Sequence, residues 1–357
     1  TGVGASKAIE KLGKKELSRV LARGAAWAVE RGYVAGSDDA AHCEEGGCLA
    51  GADPDAVSDR ALERGGDQLG TLRSGNHFLE VQRVDEIYDE EAAARFGLRK
   101  GQVTIMIHSG SRGLGHQVCD ETLRQLSRSF TRYGADFAAL PDRQLACAPI
   151  RSEEGKRYLG AMQAAANFAW ANRQVMTGLA VDAFAEALGT DRARLGARLL
   201  YDVCHNIAKF EEHLVEGGKQ RVLVHRKGAT RAFGPGDARV PADYRAVGQP
   251  VIIPGDMGRY SFVLAGNAAA MEHTFGSSCH GAGRLLSRTA ARNKARGRRI
   301  DDELRKAGIE VKSKGRRTLD EEMSEAYKDV ADVVDVIDGA GISRKVARLV
   351  PLGVIKG

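Results

Sequence analysis

The chain lacks the features that mark membrane, secreted and disulfide-stapled proteins. It has no apolar run long enough to span a bilayer and no signal-peptide pattern. Its six cysteines are scattered, and none forms a CxxC pair of the kind used for zinc binding or thiol exchange. These absences predict a cytoplasmic protein with reduced thiols and no membrane partner.

Common nucleotide and metal signatures are missing as well. No GxxxxGK[ST] phosphate loop, Rossmann glycine fingerprint or HExxH zinc motif occurs. Aromatic residues make up only 6% of the chain, whereas glycine occurs 43 times without a Gly-X-Y period or an internal repeat. This glycine excess indicates tight turns and loops that approach a ligand closely, not collagen or disorder. At 357 residues, one large domain or two ordinary ones would fit.

The basic residues are unevenly distributed. The formal net charge of +6 is modest, so its distribution decides whether polyanions are favoured as partners. Seven basic residues and no acid lie between Arg284 and Arg299, and every fourth residue from Arg284 to Arg296 is arginine. That spacing predicts a cationic stripe on one helix face. Isolated charge runs are usually solvated faces, but this one starts four residues after His280, which favours a phosphate-binding groove.

The hydrophobic pattern predicts helices and strands in one chain. Helices are predicted as a pair over residues 5–31 broken near Gly13, over 161–187 and over 321–337. Strands are predicted at residues 78–84, 103–107, 198–203, 221–224, 251–253 and 260–264. Residues 117–188 are interpreted as a helical excursion from a β-rich core. The apolar segment 346–355 is predicted to be buried, with Lys356 held in place.

Five of the nine histidines lie in motif-like contexts beside glycine or asparagine. His280 is followed by Gly281-Ala282-Gly283, and glycine lets a backbone approach a ligand to which a histidine ring presents its nitrogen. His77, His108 and His205 lie at transitions from strand to glycine-rich sequence. A lone histidine is usually a satisfied core or surface residue, but three converging imidazoles suit Mn, Zn, Fe or Co.

Polar and cationic neighbours accompany these histidines. Asn76 and Asn206 each lie next to one of them, and a side-chain amide can hydrogen-bond an oxyanion without adding charge. A turn asparagine with positive φ is the equally weighted alternative. Arg112 and Lys227 lie in glycine loops, where arginine forks onto a phosphate and lysine acts as a point charge.

Together these motifs resemble the RtcB family of tRNA-splicing RNA ligases over nearly the whole chain. The motifs occur in the family's order as GNHFLE, HSGSRGLGHQ, CHN, HRKGATRAFGPG, IPGDMG, CHGAGR and a closing PLGVIKG. The resemblance implies one catalytic domain over residues 1–357 with the excursion at 117–188. The expected fold is α+β, with a glycine-rich, β-sandwich-like core flanked by helices.

The resemblance also implies an activity and its requirements. We expect a GTP- and Mn²⁺-dependent ligase that joins an RNA end bearing a 2′,3′-cyclic phosphate or 3′-phosphate to a 5′-hydroxyl end. The RNA would be tRNA halves in splicing or broken RNA in repair. The protein is expected to be a monomer, with an archease-like activator as a further partner.

Individual roles follow from the same resemblance. His280 is the expected nucleophile that takes GMP as a phosphoramidate, and His77, His108 and His205 match manganese ligands of a site for two ions. The residues that match positions around the guanylate are Asn76, Phe78, Glu80, Ser261, Ala282, Tyr327 and Lys356, of which Glu80 and Lys356 are expected at the guanine edge. The residues that match phosphate and RNA-end contacts are Arg64, Arg112, Asn206, Lys227, Arg284 and Arg288.

One family feature is not in this sequence. The family's D-x-x-C motif supplies an aspartate and a bridging cysteine to the metals, and no D-x-x-C occurs here. Since the chain begins Thr1-Gly2-Val3-Gly4, we expect a truncated protein with an incomplete two-metal site and impaired activity. Cys43 lies in a polar loop without the matching glycine context and is not expected to replace the thiolate.

Two alternatives from other classes stay open. One is a catalytically impaired RNA-binding fragment that keeps the basic groove. The other is a metal-dependent phosphodiesterase, which would need no GTP, and the intact CHGAGR motif argues against it.

Overall fold

A computed structural model describes residues 9–36, 38–134 and 137–357. The first residues of the predicted helical pair, 5–8, lie outside the described residues, as does the start Thr1-Gly2-Val3-Gly4.

The described residues form helices and strands throughout the chain. The α-helices are α1 (Lys14–Arg23), α2 (Ala25–Glu30), α3 (Asp59–Gly66), α4 (Glu90–Phe96), α5 (Arg112–Ser129), α6 (Glu153–Ala187), α7 (Arg192–Leu195), α8 (Ala268–His273), α9 (Arg288–Lys294), α10 (Ile300–Lys306), α11 (Arg316–Glu321) and α12 (Val330–Gly339). The strands are β1 (Phe78–Ile87), β2 (Val103–His108), β3 (Asn206–Val215), β4 (Gly218–Lys227), β5 (Ala229–Arg231), β6 (Pro250–Ile253), β7 (Ser261–Gly266), β8 (Ser277–Cys279), β9 (Glu310–Ser313) and β10 (Ser343–Lys356). Short 3₁₀ turns occupy Glu44–Gly47, Pro54–Ala56, Phe130–Tyr133, Phe137–Ala139, Arg143–Leu145 and Ser324–Ala326. The predicted α+β class is confirmed.

The chain divides into two compact units. A helical unit comprises Thr1–Thr71 and Ser109–Leu199, and a sheet unit comprises Leu72–His108 and Leu200–Gly357. The helical unit contains the predicted excursion at 117–188 and the N-terminal helices as well. One catalytic domain over residues 1–357 stays a prediction.

The long helix α6 organises the helical unit. Its first turn is stabilised by Ser152, whose hydroxyl accepts from the Gly155 amide at 3.1 Å, and by the acidic Glu153 and Glu154. Buried side chains such as Trp170 lie on α6, and its central part packs into the core that α1, α3 and α5 share. Within the described part of the chain, no helix combines the length and the hydropathy that a membrane span needs.

A mixed sheet forms the core of the sheet unit. Its strands lie in the order β2-β1-β10-β7-β6 with antiparallel neighbours, and β9 pairs with β10 in parallel. The central strand β10 contains the apolar C-terminal segment, and Val346, Leu349 and Val354 on it are buried as predicted. Two further pairs, β3 with β4 and β5 with β8, form separate two-stranded ladders.

Two predicted elements are wrong in type or position. Residues 198–203, all of them described, form no strand, and the Leu200 carbonyl accepts a hydrogen bond from the Tyr244 hydroxyl at 3.0 Å. The first two helices are broken at Gly24, which has φ of 54°, whereas Gly13 occupies the N-cap of α1. A glycine at positive φ ends a helix more sharply than one at the N-cap.

Two predicted helices are shorter than their patterns. The segment 321–337 is split between α11 and α12, and Asp329 caps α12 by accepting from the Ala331 amide at 2.9 Å. The cationic stripe is not one helix face, since α9 begins after the Ser287 cap and is followed by Gly297 at φ 78°. Arg284 therefore precedes α9 and Arg296 follows it.

Candidate active site

Three predicted histidines lie at neighbouring strand ends of the sheet unit. Phe78 of β1 pairs with His108 at the end of β2, so His77 lies beside His108. Their rings stack with centroids 5.8 Å apart and an interplanar angle of 18°. His205 directly precedes β3, and its Nε2 lies 3.0 Å from Nε2 of His108.

The His108 and His205 nitrogens fit two ligands of one divalent metal ion. Two nitrogens at about 2.1 Å from one ion lie about 3 Å apart when the angle between them is about 90°. Imidazole nitrogen suits manganese, zinc, iron and cobalt alike. Among the described residues, however, no group of three or more His, Cys, Asp or Glu side chains already has ligand geometry. The structure thus supports a ligand pair, and His77 as the third ligand stays a prediction.

His280 adjoins this histidine pair. It follows β8, and its ring stacks on that of His205 with centroids 4.3 Å apart and an interplanar angle of 25°. The Gly228 amide donates to the His205 carbonyl at 2.9 Å, which joins the CHN and HRKGA motifs. Burial lowers the pKa of His280, with the Lys227 charge adding to this and a hydrogen bond to the Gly228 backbone opposing it.

One edge of the His280 ring faces Gly228. A Cβ at that position would lie 3.5 Å from Cε1 and 3.6 Å from Nδ1 of His280. Of the two ring nitrogens, Nδ1 is therefore the one close to the loop, and Nε2 lies more than 4 Å from that position.

A pocket in the sheet unit brings together most of the predicted nucleotide residues. The predicted residues that line it are Asn76, Phe78, Glu80, His108, Ser261, His280, Ala282, Arg284, Arg288, Tyr327 and Lys356. They come from β1 and the residues before it, β2, β7, β10, the loop after β8, α9 and the segment before α12, so residues far apart in sequence share one cavity.

Two buried charges lie side by side in this pocket. Burial raises the pKa of Glu80 to about 7, against the effects of the Gln82 hydrogen bond and the Lys356 charge. Burial likewise lowers the pKa of Lys356 to about 8, with Glu322 and Glu80 opposing. The Lys356 ammonium donates to the Gly75 carbonyl at 3.3 Å, so the chain end is held as predicted.

Arg284 and Tyr327 form another wall of the pocket. The Arg284 guanidinium donates to the Tyr327 hydroxyl at 2.9 Å and to Glu322 at 3.1 Å, and it also reaches the Glu321 carbonyl. Tyr327 in turn hydrogen-bonds Glu322. Burial and the Glu322 charge raise the pKa of Tyr327, so its hydroxyl stays neutral.

The remaining predicted contacts fall into two groups. Asn206 and Lys227 are exposed and pair with each other across β3 and β4. Asn206 directly follows His205 in the chain. Arg64 and Arg112 belong to the helical unit, where Arg64 donates to Gln117 at 2.6 Å and Arg112 to the Thr71 hydroxyl at 3.0 Å.

Cys43 also lies in the helical unit. It is buried, and its thiol donates to the Asp39 carbonyl at 3.3 Å.

Three polar residues at the pocket escaped the sequence analysis. Asp256 and Glu322 line the cavity, and Gln82 hydrogen-bonds two of the lining side chains from behind. Asp256 lies in the recognised motif IPGDMG, so its motif was a usable signal. Glu322 was hidden inside a predicted helix, and nothing in the sequence distinguishes Gln82 from a surface strand residue.

Comparison with known proteins gives a consistent result. The family described as tRNA-splicing ligase RtcB matches residues 1–357. A protein from Archaeoglobus fulgidus named tRNA-splicing ligase RtcB is 55% identical over 357 residues, which are 100% of this chain and 73% of that protein. One of the same name from Pyrococcus furiosus is 54% identical over 358 residues, which are 100% of this chain and 36% of that protein. One named RNA-splicing ligase RtcB from Mycobacterium bovis is 50% identical over 356 residues, covering 100% of this chain and 80% of its own length.

Proposed function

The chain belongs to the RtcB family of tRNA-splicing ligases, and from that premise we propose that it is a GTP-dependent RNA ligase with His280 as its nucleophile. It joins a 2′,3′-cyclic phosphate or 3′-phosphate RNA end to a 5′-hydroxyl end. The observation that carries the proposal is the position of His280. Its ring stacks on His205 and lines the same pocket as Glu80 and Lys356.

The first chemical step takes place at the His280 ring. Nε2 of His280 attacks the α-phosphorus of GTP, an N–P bond forms, and the bond to the pyrophosphate oxygen breaks. Pyrophosphate leaves with its electron pair, and loss of the ring proton restores a neutral phosphoramidate. The contact between the Nδ1 edge and Gly228 keeps the ring oriented for this attack.

A 2′,3′-cyclic phosphate end is first opened by water, which breaks the bond between phosphorus and the 2′ oxygen and leaves a 3′-phosphate and a 2′-hydroxyl. Two transfers then complete the reaction. An oxygen of the RNA 3′-phosphate takes GMP from His280, which regains a free nitrogen. The 5′-hydroxyl oxygen then attacks the 3′-phosphorus, so that a phosphodiester forms and GMP leaves. Both transfers need nearby cations, and Lys227, Arg284 and Arg288 are the proposed phosphate contacts in the sheet unit.

We assign Mn²⁺ to His77, His108 and His205. The ion would neutralise phosphate charge and activate the attacking oxygen. The facing nitrogens of His108 and His205, 3.0 Å apart, support two of these ligands, and His77 rests on the family resemblance.

The nucleotide pocket supplies base recognition. Glu80 is proposed to accept from guanine N–H groups, with Lys356 beside it and with Phe78 and Tyr327 as aromatic walls. Asn76 and Ala282 complete the guanylate contacts, and Asn206 with Arg64 and Arg112 the RNA contacts, on the family resemblance alone.

Intact mass spectrometry tests the nucleophile directly. After incubation with GTP and Mn²⁺, the protein should gain the mass of one GMP in an acid-labile bond, and His280→Ala should gain none. His273→Ala is the matched control, since His273 is exposed at the end of α8 in the same unit and does not line the pocket. An adduct on the His280→Ala protein would refute the assignment.

A ligation assay separates this function from its alternatives. An RNA pair with 2′,3′-cyclic phosphate and 5′-hydroxyl ends should be joined only with GTP. Cleavage or end release without GTP would indicate a phosphodiesterase. RNA binding without any GMP adduct would indicate a non-catalytic binding protein.

A further inference from the structure

Gln82 lies behind the pocket wall and connects two of its polar groups. It follows Glu80 by two residues on β1, so both side chains lie on the same face of the strand. Gln82 is 0% exposed, and its Nε2 donates to Oε1 of Glu80 at 2.6 Å and to the Ser261 hydroxyl oxygen at 3.1 Å. Because Glu80 and Ser261 both line the pocket, Gln82 acts on a ligand only through them.

These hydrogen bonds determine what each group can offer to a ligand. The Ser261 oxygen also accepts from the Gly255 amide at 3.2 Å. A hydroxyl has two acceptor positions and one hydrogen, so Ser261, accepting twice, can only donate to a ligand. Glu80 has one oxygen bonded to Gln82, which turns the carboxylate so that Oε2 keeps both of its acceptor positions. The wall therefore presents one acceptor beside one donor.

We propose that Gln82 fixes this donor and acceptor arrangement and thereby selects guanine over adenine. This inference rests on the proposed GTP-dependent function and names a specificity determinant for it. Guanine carries two N–H donors, N1–H and the exocyclic amine, along one edge, which match a carboxylate. Adenine has an acceptor at N1, which a fixed carboxylate repels.

Gln82 also favours the ionised form of Glu80. Burial raises the pKa of Glu80 to about 7, and the Gln82 amide and the Lys356 ammonium on β10 oppose that rise, whereas Asp256, after β6, adds to it. Without the amide donor, the carboxyl carries a proton over more of the neutral range. A protonated, freely rotating carboxyl no longer discriminates between the two bases.

The test is nucleotide selectivity of a near-isosteric variant. Gln82→Leu keeps the side-chain volume and removes both hydrogen bonds. Dissociation constants for GTP, ITP and ATP are measured, together with the rate of nucleotidyl transfer to His280. We expect GTP affinity to fall about 10- to 100-fold while ATP affinity changes less than about 3-fold, so that the GTP-to-ATP ratio collapses. Gln82→Met provides an unbranched second variant, should the leucine variant not fold.

Gln249→Leu is the matched control. Gln249 is also 0% exposed in the sheet unit, but it bonds Arg231 and does not line the pocket. This variant should lose stability but keep the wild-type ratio of GTP affinity to ATP affinity.

The outcomes separate the inference from the function beneath it. If the Gln82 variants keep the wild-type ratio of GTP affinity to ATP affinity, even while both affinities fall, the inference is wrong and the ligase proposal stands. A shift of the ratio in Gln249→Leu would overturn it too, because any buried amide would then have the effect. If the wild-type protein neither binds GTP nor forms the GMP adduct, the proposed function itself fails.

Discussion

Breaking the buried ion pair between Glu211 and Arg226 should destabilise the sheet unit strongly. The Arg226 guanidinium forks onto both Glu211 oxygens at 2.5 and 2.9 Å, and both side chains are almost fully buried. Arg226 also donates to the Ser277 hydroxyl at 3.0 Å and to the Phe275 carbonyl at 2.9 Å. The pair thus ties the β3–β4 hairpin to β8, the strand that His280 directly follows.

The magnitude follows from the ionisation of Glu211. Burial alone would raise the pKa of this carboxyl, but the hydrogen bonds and charge of Arg226, with Lys209 and His213, lower it to about 2. At about 1.4 kcal/mol per pKa unit, a fall from 4.5 to about 2 corresponds to about 3 kcal/mol of stability. Because the folded-state pKa is lowered, this stability is present above about pH 4.5 and is lost as the pH falls toward 2.

Thermal unfolding of a double-mutant cycle measures the effect. Arg226→Leu leaves a buried carboxylate unpaired and should cost roughly 3 to 5 kcal/mol at pH 7, a fall in Tm of roughly 6 to 20 °C for a unit of this size. Adding Glu211→Leu should cost less than the sum of the single variants by about 1 to 3 kcal/mol. The difference between wild type and Glu211→Leu should shrink as the pH falls toward 2.

A bidentate but exposed pair supplies the control. Arg192 contacts both carboxylate oxygens of Asp182, and the two side chains are 35% and 51% exposed. Arg192→Leu should cost no more than about 1 kcal/mol, because solvent screens the pair. The reasoning would be refuted if the stability losses of the Glu211 and Arg226 single variants simply added in the double variant. It would also be refuted if the stability difference between wild type and Glu211→Leu did not change with pH.

Two glycine substitutions test other steps. Gly24→Ala should lower Tm by several degrees, because the φ of Gly24 is 54° and an added Cβ would overlap the Gly47 carbonyl oxygen. Gly32→Ala is its control: Gly32 has φ of 80° with open space around it, so the substitution should cost only about 1 to 2 kcal/mol of backbone strain. Gly228→Ala puts a Cβ in ordinary van der Waals contact with the His280 ring, 3.5 Å from Cε1, so its strain comes from the φ of 70°. Because the Gly228 backbone hydrogen-bonds His280, relief of that strain should shift the ring and slow GMP transfer about 10-fold in a stopped-time mass assay, while GTP affinity stays within about 2-fold. A parallel loss of affinity would contradict that last assignment.

Local patterns predicted those parts of the fold whose partners lie along the chain. Alternating and continuous apolar runs identified β1, β2 and the segment within β10, and an Ala-rich stretch identified most of α6. The predicted strands correctly placed His77 just before β1 and His108 at the end of β2. His205 precedes β3, whereas the strand predicted before it, at 198–203, does not form. Local patterns therefore gave the structural setting of two of these three histidines.

Long-range contacts set the features that local patterns did not reveal. Residues 198–203 have strand composition but form no strand, and the Leu200 carbonyl accepts from Tyr244, 44 residues along the chain. The importance of Gln82 depends on Ser261, which is 179 residues away in sequence. No helix or strand pattern in the sequence connects residues that far apart, so only the folded chain shows that an amide on β1 orients a hydroxyl on β7.

The arginine-rich segment shows how acidic partners change the meaning of a charge run. Arg284 donates to Glu322, the Tyr327 hydroxyl, and the Glu321 and Leu286 carbonyls, so it is already satisfied without a phosphate. Arg288 lines the same pocket but lies 3.9 Å from the Glu321 and Glu322 carboxylates, and its side chain is 59% exposed. An anion would have to displace a buried carboxylate from Arg284 but only bulk solvent from Arg288. Of these two predicted phosphate contacts, we therefore expect Arg288 to be the one that binds a phosphate at the lower cost in desolvation and lost hydrogen bonds.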